Sequence, residues 1–139
     1  TIVNANASGS VCPKGWKLPS SATNASTITK GTYAYLLQQY GLASAWDTGI
    51  VTGTSPVNSN TYDIALSPLF FVRGGEISPG YTDKFRDVGQ SGWYWSSRAS
   101  YDTNYAYGLY FLSSRVYPSI YDYVYRDYGQ SLRCLISTP

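Results

Sequence analysis

Two cysteines stand near opposite ends of this chain, Cys12 and Cys134, with most of the 139 residues between them. If they are bonded, the beginning and the end of the fold must meet, and any topology that leaves them apart is excluded. Such a bond closes a loop of over a hundred residues and is worth about 4–5 kcal/mol in the chain-entropy account. Two unrelated buried thiols are the alternative. Terminal placement, the lack of metal-type Cys spacing and a secreted-like composition favour the disulfide.

At this length a single domain, 1–139, with a real apolar core is the natural expectation. Charged residues make up only 13 %, about half the usual share. Ten cations against eight acids give a net charge of +2, and no cluster of Lys or Arg supplies an electrostatic footprint for nucleic acid. No segment approaches the ~18 consecutive apolar residues that a membrane-inserted helix needs. With neither a leader-like segment nor any Met, the chain reads as a mature or excised domain. Sparse charge with abundant Gly, Ser, Thr, Asn and Tyr suits a secreted or cell-surface β-rich protein, and sequons begin at Asn6 and Asn24.

Residues 1–11 read as an edge strand or a frayed leading segment. In Cys12–Pro19, two prolines and a glycine set turns around Trp16 and Leu18, which are expected to dock on the core. The clearest helix covers about 32–40. Thr32 can cap it, Tyr33, Leu36, Leu37 and Tyr40 recur at helical spacing, and Gly41 can close it. Trp46 is expected in the core, 48–61 reads as a loop, and a helical turn can form near 62–66. Leu69–Val72 suits a short buried strand between Pro68 and Gly74-Gly75. Trp93–Ser96 reads as a strand. In Tyr105–Leu112, Tyr107, Leu109 and Phe111 point one way and Ala106, Gly108 and Tyr110 the other. Ser131–Ile136 is expected as the last strand. Trp16, Trp93 and Trp95 are read as core anchors, and Arg133 as a structural residue paired with an acid.

Nine of the fifteen tyrosines fall between Tyr101 and Tyr128, interleaved with Ser, Asp, Asn and Arg. Tyr gives rigid, amphipathic contact area at low entropic cost, and the small polar residues give adaptable hydrogen bonding, the mixture that binding loops favour. Some of these rings must be ordinary strand residues, since Tyr half-buries well in sheets. Tyr107 and Tyr110 flank Leu109 and Phe111 and belong with that group. The expected ligand-binding set is Arg98, Tyr101, Asp102, Asn104, Tyr105, Tyr117, Tyr121, Asp122, Tyr123, Tyr125 and Arg126. If extended, Tyr121, Tyr123 and Tyr125 share one face.

Catalysis is poorly served. With no His, the commonest general base and metal ligand are missing. A Cys12–Cys134 bond leaves no thiol, Ser96-Ser97 lacks a partner base, and nothing in the spacing of Asp102, Asp122 and Asp127 singles out a glycosidase pair. The expectation is a non-enzyme without a cofactor. A structural calcium stays open through Asp63, Asp83, Asp87 or loop carbonyls, which supply the oxygen ligands it needs.

Cys12-Pro13-Lys14-Gly15-Trp16-Lys17-Leu18-Pro19 resembles the C-P-x-G-W-[RK]-L-P opening of a family of bacterial surface proteins, the Fibrobacter succinogenes major paralogous domain. The second half is similar to that family's ordered blocks as well: Gly92-Trp93-Tyr94-Trp95-Ser96-Ser97, Ala106-Tyr107-Gly108-Leu109-Tyr110-Phe111, Val116-Tyr117-Pro118, and Arg126-Asp127-Tyr128-Gly129-Gln130-Ser131-Leu132-Arg133-Cys134. The resemblance runs from residue 12 to 135. It implies a C-type-lectin-like α+β domain with mixed or antiparallel strands, paired terminal strands and ends tied by the cysteines. Related folds display variable Tyr, Asn, Ser and Asp positions in proteins diversified by retroelements, and the composition from Arg98 to Asp127 fits that scheme. The chain departs from calcium-dependent sugar binders: Pro118 is flanked by Tyr117 and Ser119, and Trp95 is followed by Ser96-Ser97. Gln130 stands where the family commonly has an aromatic or apolar residue. The function so implied is ligand binding at a bacterial cell surface, with a protein or glycan on a cell or host surface as partner. The alternative is a filament or adhesin subunit that self-associates through the Tyr-rich face.

Overall fold

The computed structural model describes residues 11–40, 42, 64, 69–80, 82–112, 115–120 and 124–136. In chain order they form β1 (Trp16–Lys17), α1 (Tyr33–Gln39), β2 (Glu76–Ile77), β3 (Phe85–Arg86), β4 (Gly92–Ala99), β5 (Ala106–Phe111), β6 (Val116–Ile120) and β7 (Leu135–Ile136). The class is mixed α+β, and every strand pairing between these elements is antiparallel. Of the sequence expectations, those on 1–10, Gly41, Trp46, 48–61, Asp63, Tyr121, Asp122 and Tyr123 lie outside the described residues.

The helix follows from its cap and its spacing. Thr32 is extended, and its hydroxyl accepts from the Tyr35 amide at 3.2 Å, which satisfies one of the first-turn donors that the helix itself cannot pair. Tyr33 and Leu37 are fully buried, and Leu36 and Tyr40 pack against the same core. The Tyr33 hydroxyl donates to the Trp95 carbonyl at 2.9 Å, tying the helix to β4. Burial, more than any other influence, holds that phenol far above its ordinary pKa.

The main sheet has the order β4-β5-β6. Register decides which ring goes where. Tyr94 pairs with Leu109, and Phe111 with Gly92 and Val116, on the face turned to the core; Tyr110 pairs with Trp93 and Tyr117 on the other. A Cβ at Gly92 would collide with the Phe111 ring, so this position leaves no room for a side chain. The core also takes Leu42, Ile64, Leu69 and Phe71. The Phe71 ring meets Tyr33, Tyr94 and Phe111 edge-on, with centroids 6.3, 4.9 and 6.4 Å away.

The cysteines are bonded, and the termini meet. Cys12 and Cys134 lie 5.8 Å apart at Cα, and β1 pairs with β7, Trp16 opposite Ile136 and Lys17 opposite Leu135. The last strand is shorter than Ser131–Ile136 because the segment changes partners. Ser131 donates to the Trp93 carbonyl and accepts from the Trp95 amide, and the chain then leaves β4 to join β1. Trp16 is no core anchor: 44 % exposed, it stands opposite Ile136 on the outer side of a two-residue ladder.

Leu69–Val72 is not a strand either. Phe70 has φ +49°, a left-handed value that interrupts extension, so Leu69 and Phe71 are buried while Phe70 and Val72 are exposed. Backbone bonds lost from a ladder are replaced by side chains. The Tyr94 hydroxyl accepts from the Val72 amide at 2.9 Å and donates to its carbonyl at 3.2 Å. Arg133 is structural, as expected, but among the described residues it is paired with backbone and not with an acid. Its guanidinium donates to the Leu69 carbonyl at 2.8 Å and lies 4.9 Å from the Phe71 ring centre. Gln130 has both side-chain amide atoms buried without a hydrogen-bond partner among the described residues.

Candidate functional site

The turn after β4 is built by its own polar side chains. The Asp102 amide donates to Ser100 Oγ at 3.2 Å, Asp102 Oδ1 accepts from the Asn104 amide at 2.8 Å, and the Tyr105 amide reaches the Asp102 carbonyl. This is the local bonding that makes Asp and Ser turn formers. The returning segment then zips onto the turn. The Ala106 amide donates to the Val124 carbonyl at 2.9 Å and the Arg126 amide to the Asn104 carbonyl at 3.0 Å, setting Tyr105 opposite Tyr125. Arg126 adds Nε to the Tyr105 carbonyl at 2.7 Å and Nη2 to the Ser100 carbonyl at 3.5 Å.

On this frame three phenol rings gather. Tyr105 and Tyr125 have centroids 4.8 Å apart and hydroxyls 3.4 Å apart, and Tyr128 follows 5.0 Å from Tyr125. Tyr101, on the same turn, is 86 % exposed. Asp102 and Arg126 position this cluster through the backbone. Asn104 is exposed beside it.

Of the remaining members of the expected set, the two that are described, Tyr117 and Arg98, lie elsewhere. Tyr117 belongs to a second aromatic group on the outer sheet face, where Trp93 stacks on Tyr110 at 3.9 Å and Tyr110 on Tyr117 at 5.6 Å. Arg115 Nη1 reaches the Tyr117 hydroxyl at 3.4 Å. Tyr105 and Tyr110 are five residues apart along the strand direction, roughly 17 Å, and of opposite parity, so the two groups are separate. The guanidinium of Arg98 sits 5.9 Å from the Tyr107 ring centre and lines a hydroxyl-rich cleft instead. Tyr107 is buried. Tyr128 escaped the sequence reading because its partner is a ring three residues back across a turn. The stack was half legible: alternation separates Tyr110 from Leu109 and Phe111, but only the register places Trp93 beside it.

The outer face is edged by the β2–β3 hairpin, whose Glu76 is buried. Its Oε1 lies 3.6 Å from Arg86 Nη1, and Oε2 has no hydrogen-bond partner among the described residues. Burial raises the Glu76 pKa, with Asp87 adding to the shift and Arg86 opposing it. The native chain therefore keeps this proton to higher pH than the unfolded chain. The stabilisation is complete below the ordinary Glu range and is lost as pH rises through the raised value. Glu76→Gln removes that slope. Melting curves between about pH 4 and pH 8 should show the wild type losing more stability than Glu76→Gln; parallel curves would mean that Glu76 is ionised at no cost.

Among the described residues no three His, Cys, Asp or Glu side chains gather in a way that could hold a metal ion, and no helix is long and apolar enough to cross a membrane. No family model matches the chain, and no curated protein or solved structure matches it either.

Proposed function

We propose that this chain is an extracellular binding module of a bacterial surface protein, built on a C-type-lectin-like frame and gripping a protein or glycan partner with the Tyr105–Tyr125–Tyr128 cluster and Tyr101. The observation that carries this reading is the cluster itself: three rings within 5.0 Å of a neighbour, on backbone pinned by Arg126 and Asp102. Rings held in place before a partner arrives lose little entropy on binding, and Tyr is the residue type that carries binding energy at such patches. The disulfide agrees with an oxidising compartment. The ordered motif blocks of the surface-domain family supply the cellular setting, and diversification of the 98–127 region by a retroelement is part of the same proposal.

The test is a screen of the labelled domain on a glycan array and against a displayed peptide library, repeated with the Tyr101→Ala/Tyr125→Ala double variant. Truncating two contact tyrosines is expected to weaken capture by about thirtyfold or more. Tyr101 is 86 % exposed, and Tyr125, at 36 %, packs on Tyr105 and Tyr128 at the surface, so the melting temperature should fall by only about 2–6 °C and the variant should stay folded in the assay. Undiminished capture by the double variant would overturn the reading. So would capture of nothing but other copies of the domain, with concentration-dependent sedimentation that the same substitutions abolish; that result would make the chain a self-associating filament or adhesin subunit.

A further inference from the structure

Away from the ring cluster, the segment from Lys17 to Thr32 and the end of β4 enclose a cleft of about 520 Å³, within the size range of small-molecule sites. Three cations line it, Lys17, Lys30 and Arg98, and among the described residues its lining holds no acid. In a chain with ten cations and eight acids in total, that is a marked local excess of positive charge. The remaining wall is rich in hydroxyls. Those of Thr27 and Thr32 are committed to capping turns. Ser21 Oγ is not: the residue is 1 % exposed, and the oxygen has no hydrogen-bond partner among the described residues. A buried hydroxyl left unpaired is unfavourable, and a ligand reaching the floor of the cleft would supply the missing partner.

A second hollow of about 370 Å³ shares Lys17, Lys30, Gly31 and Thr32 with the cleft and continues over Tyr35 and Leu36. The two lysines therefore stand where a cationic, hydroxylated half meets an apolar half with an aromatic ring. A free inorganic anion would use only the first half. A neutral sugar would use the hydroxyls and the ring but not the charge.

We propose that this cleft is a second ligand site, which takes a sugar bearing an oxyanion: the carboxylate or sulfate sits among Lys17, Lys30 and Arg98 and accepts from Ser21 Oγ, and the sugar ring extends toward Tyr35. The site is independent of the ring cluster. Lys17 approaches Gly31, where φ is +101°, so the backbone carrying Lys30 is held in a conformation that favours glycine.

Calorimetric titration of the intact domain with four probes tests this: a uronate disaccharide, a sulfated disaccharide, a matched neutral disaccharide and inorganic sulfate. At least one acidic disaccharide should bind about tenfold or more tightly than both the neutral sugar and sulfate, as loss of a charge-assisted contact implies. Lys17→Gln/Lys30→Gln should weaken that binding by about tenfold or more, and Ser21→Ala by severalfold, because a hydrogen bond to a charged group is lost. Salt should weaken it too. Tyr125→Ala should leave it unchanged, which separates failure of this site from failure of the ring cluster. Equal affinity for the neutral disaccharide, equal affinity for sulfate, no binding by any probe, or indifference to the double lysine substitution each overturns the proposal. Lys30 is exposed and Lys17 half-exposed, so a melting curve suffices to show that the variant has folded.

Discussion

Replacing both cysteines, Cys12→Ser with Cys134→Ser, is expected to lower unfolding free energy by about 4–5 kcal/mol, and the melting temperature by about 10–20 °C. The size follows from the separation of 122 residues: a cross-link that spans most of a chain removes more freedom from the unfolded ensemble than one that closes a short loop. Single domains are stable by only about 5–15 kcal/mol, so the loss is a large share of the whole. A local effect should accompany it. The ladder between β1 and β7 is two residues long on each side, and a ladder that short does not hold two chain ends together unaided. Hydrogen exchange in the serine variant should therefore rise first at residues 16–17 and 135–136, below the global transition, while β4 and β5 stay protected. A melting temperature within a few degrees of wild type would show that the terminal strands and Arg133 hold the ends without the bond.

That bond was legible in the sequence because only two cysteines were available and their positions fitted a closed frame. The helix was legible for an equally physical reason: a cap at Thr32 and four apolar positions at helical spacing agree, and nothing tertiary opposes them. Alternation likewise separated Leu109 and Phe111 from Tyr110. What stayed hidden depends on pairing. Tyr105, Tyr110 and Tyr117 have the same side chain in similar company, and only register sends one to the turn cluster and the others to the Trp93 stack. Trp16 looks like a core residue by type, yet the ladder position opposite Ile136 turns it outward. The cationic cleft draws on three cations, Lys17, Lys30 and Arg98, that are far apart in the sequence and share no spacing pattern. Leu69–Val72 has a strand's composition but not its backbone, since Phe70 interrupts it.

Phe71→Ala should cost about 3–5 kcal/mol, the range for emptying a buried aromatic position. Phe71 is 1 % exposed and sits in neither a helix nor a strand, so its position is set by what surrounds the ring. Tyr33, Tyr94 and Phe111 approach it edge-on, and Arg133 covers it at 4.9 Å. The three rings belong to α1, β4 and β5, and the guanidinium belongs to the tail that carries Cys134. Removing the ring leaves a cavity among groups already bonded elsewhere: the Tyr33 hydroxyl to Trp95, the Tyr94 hydroxyl to Val72, Arg133 to Leu69. These bonds oppose collapse into the space, which places the expected cost toward the upper end of the range. Phe70→Ala is the control, because the Phe70 ring is itself 58 % exposed and its loss should fall within about 0.5 kcal/mol. Chemical denaturation of the two variants decides the matter. Equal losses would mean that the segment is seated in another register, with both rings sharing the interior, and a loss below about 1 kcal/mol at Phe71 would mean that the core closes over the gap.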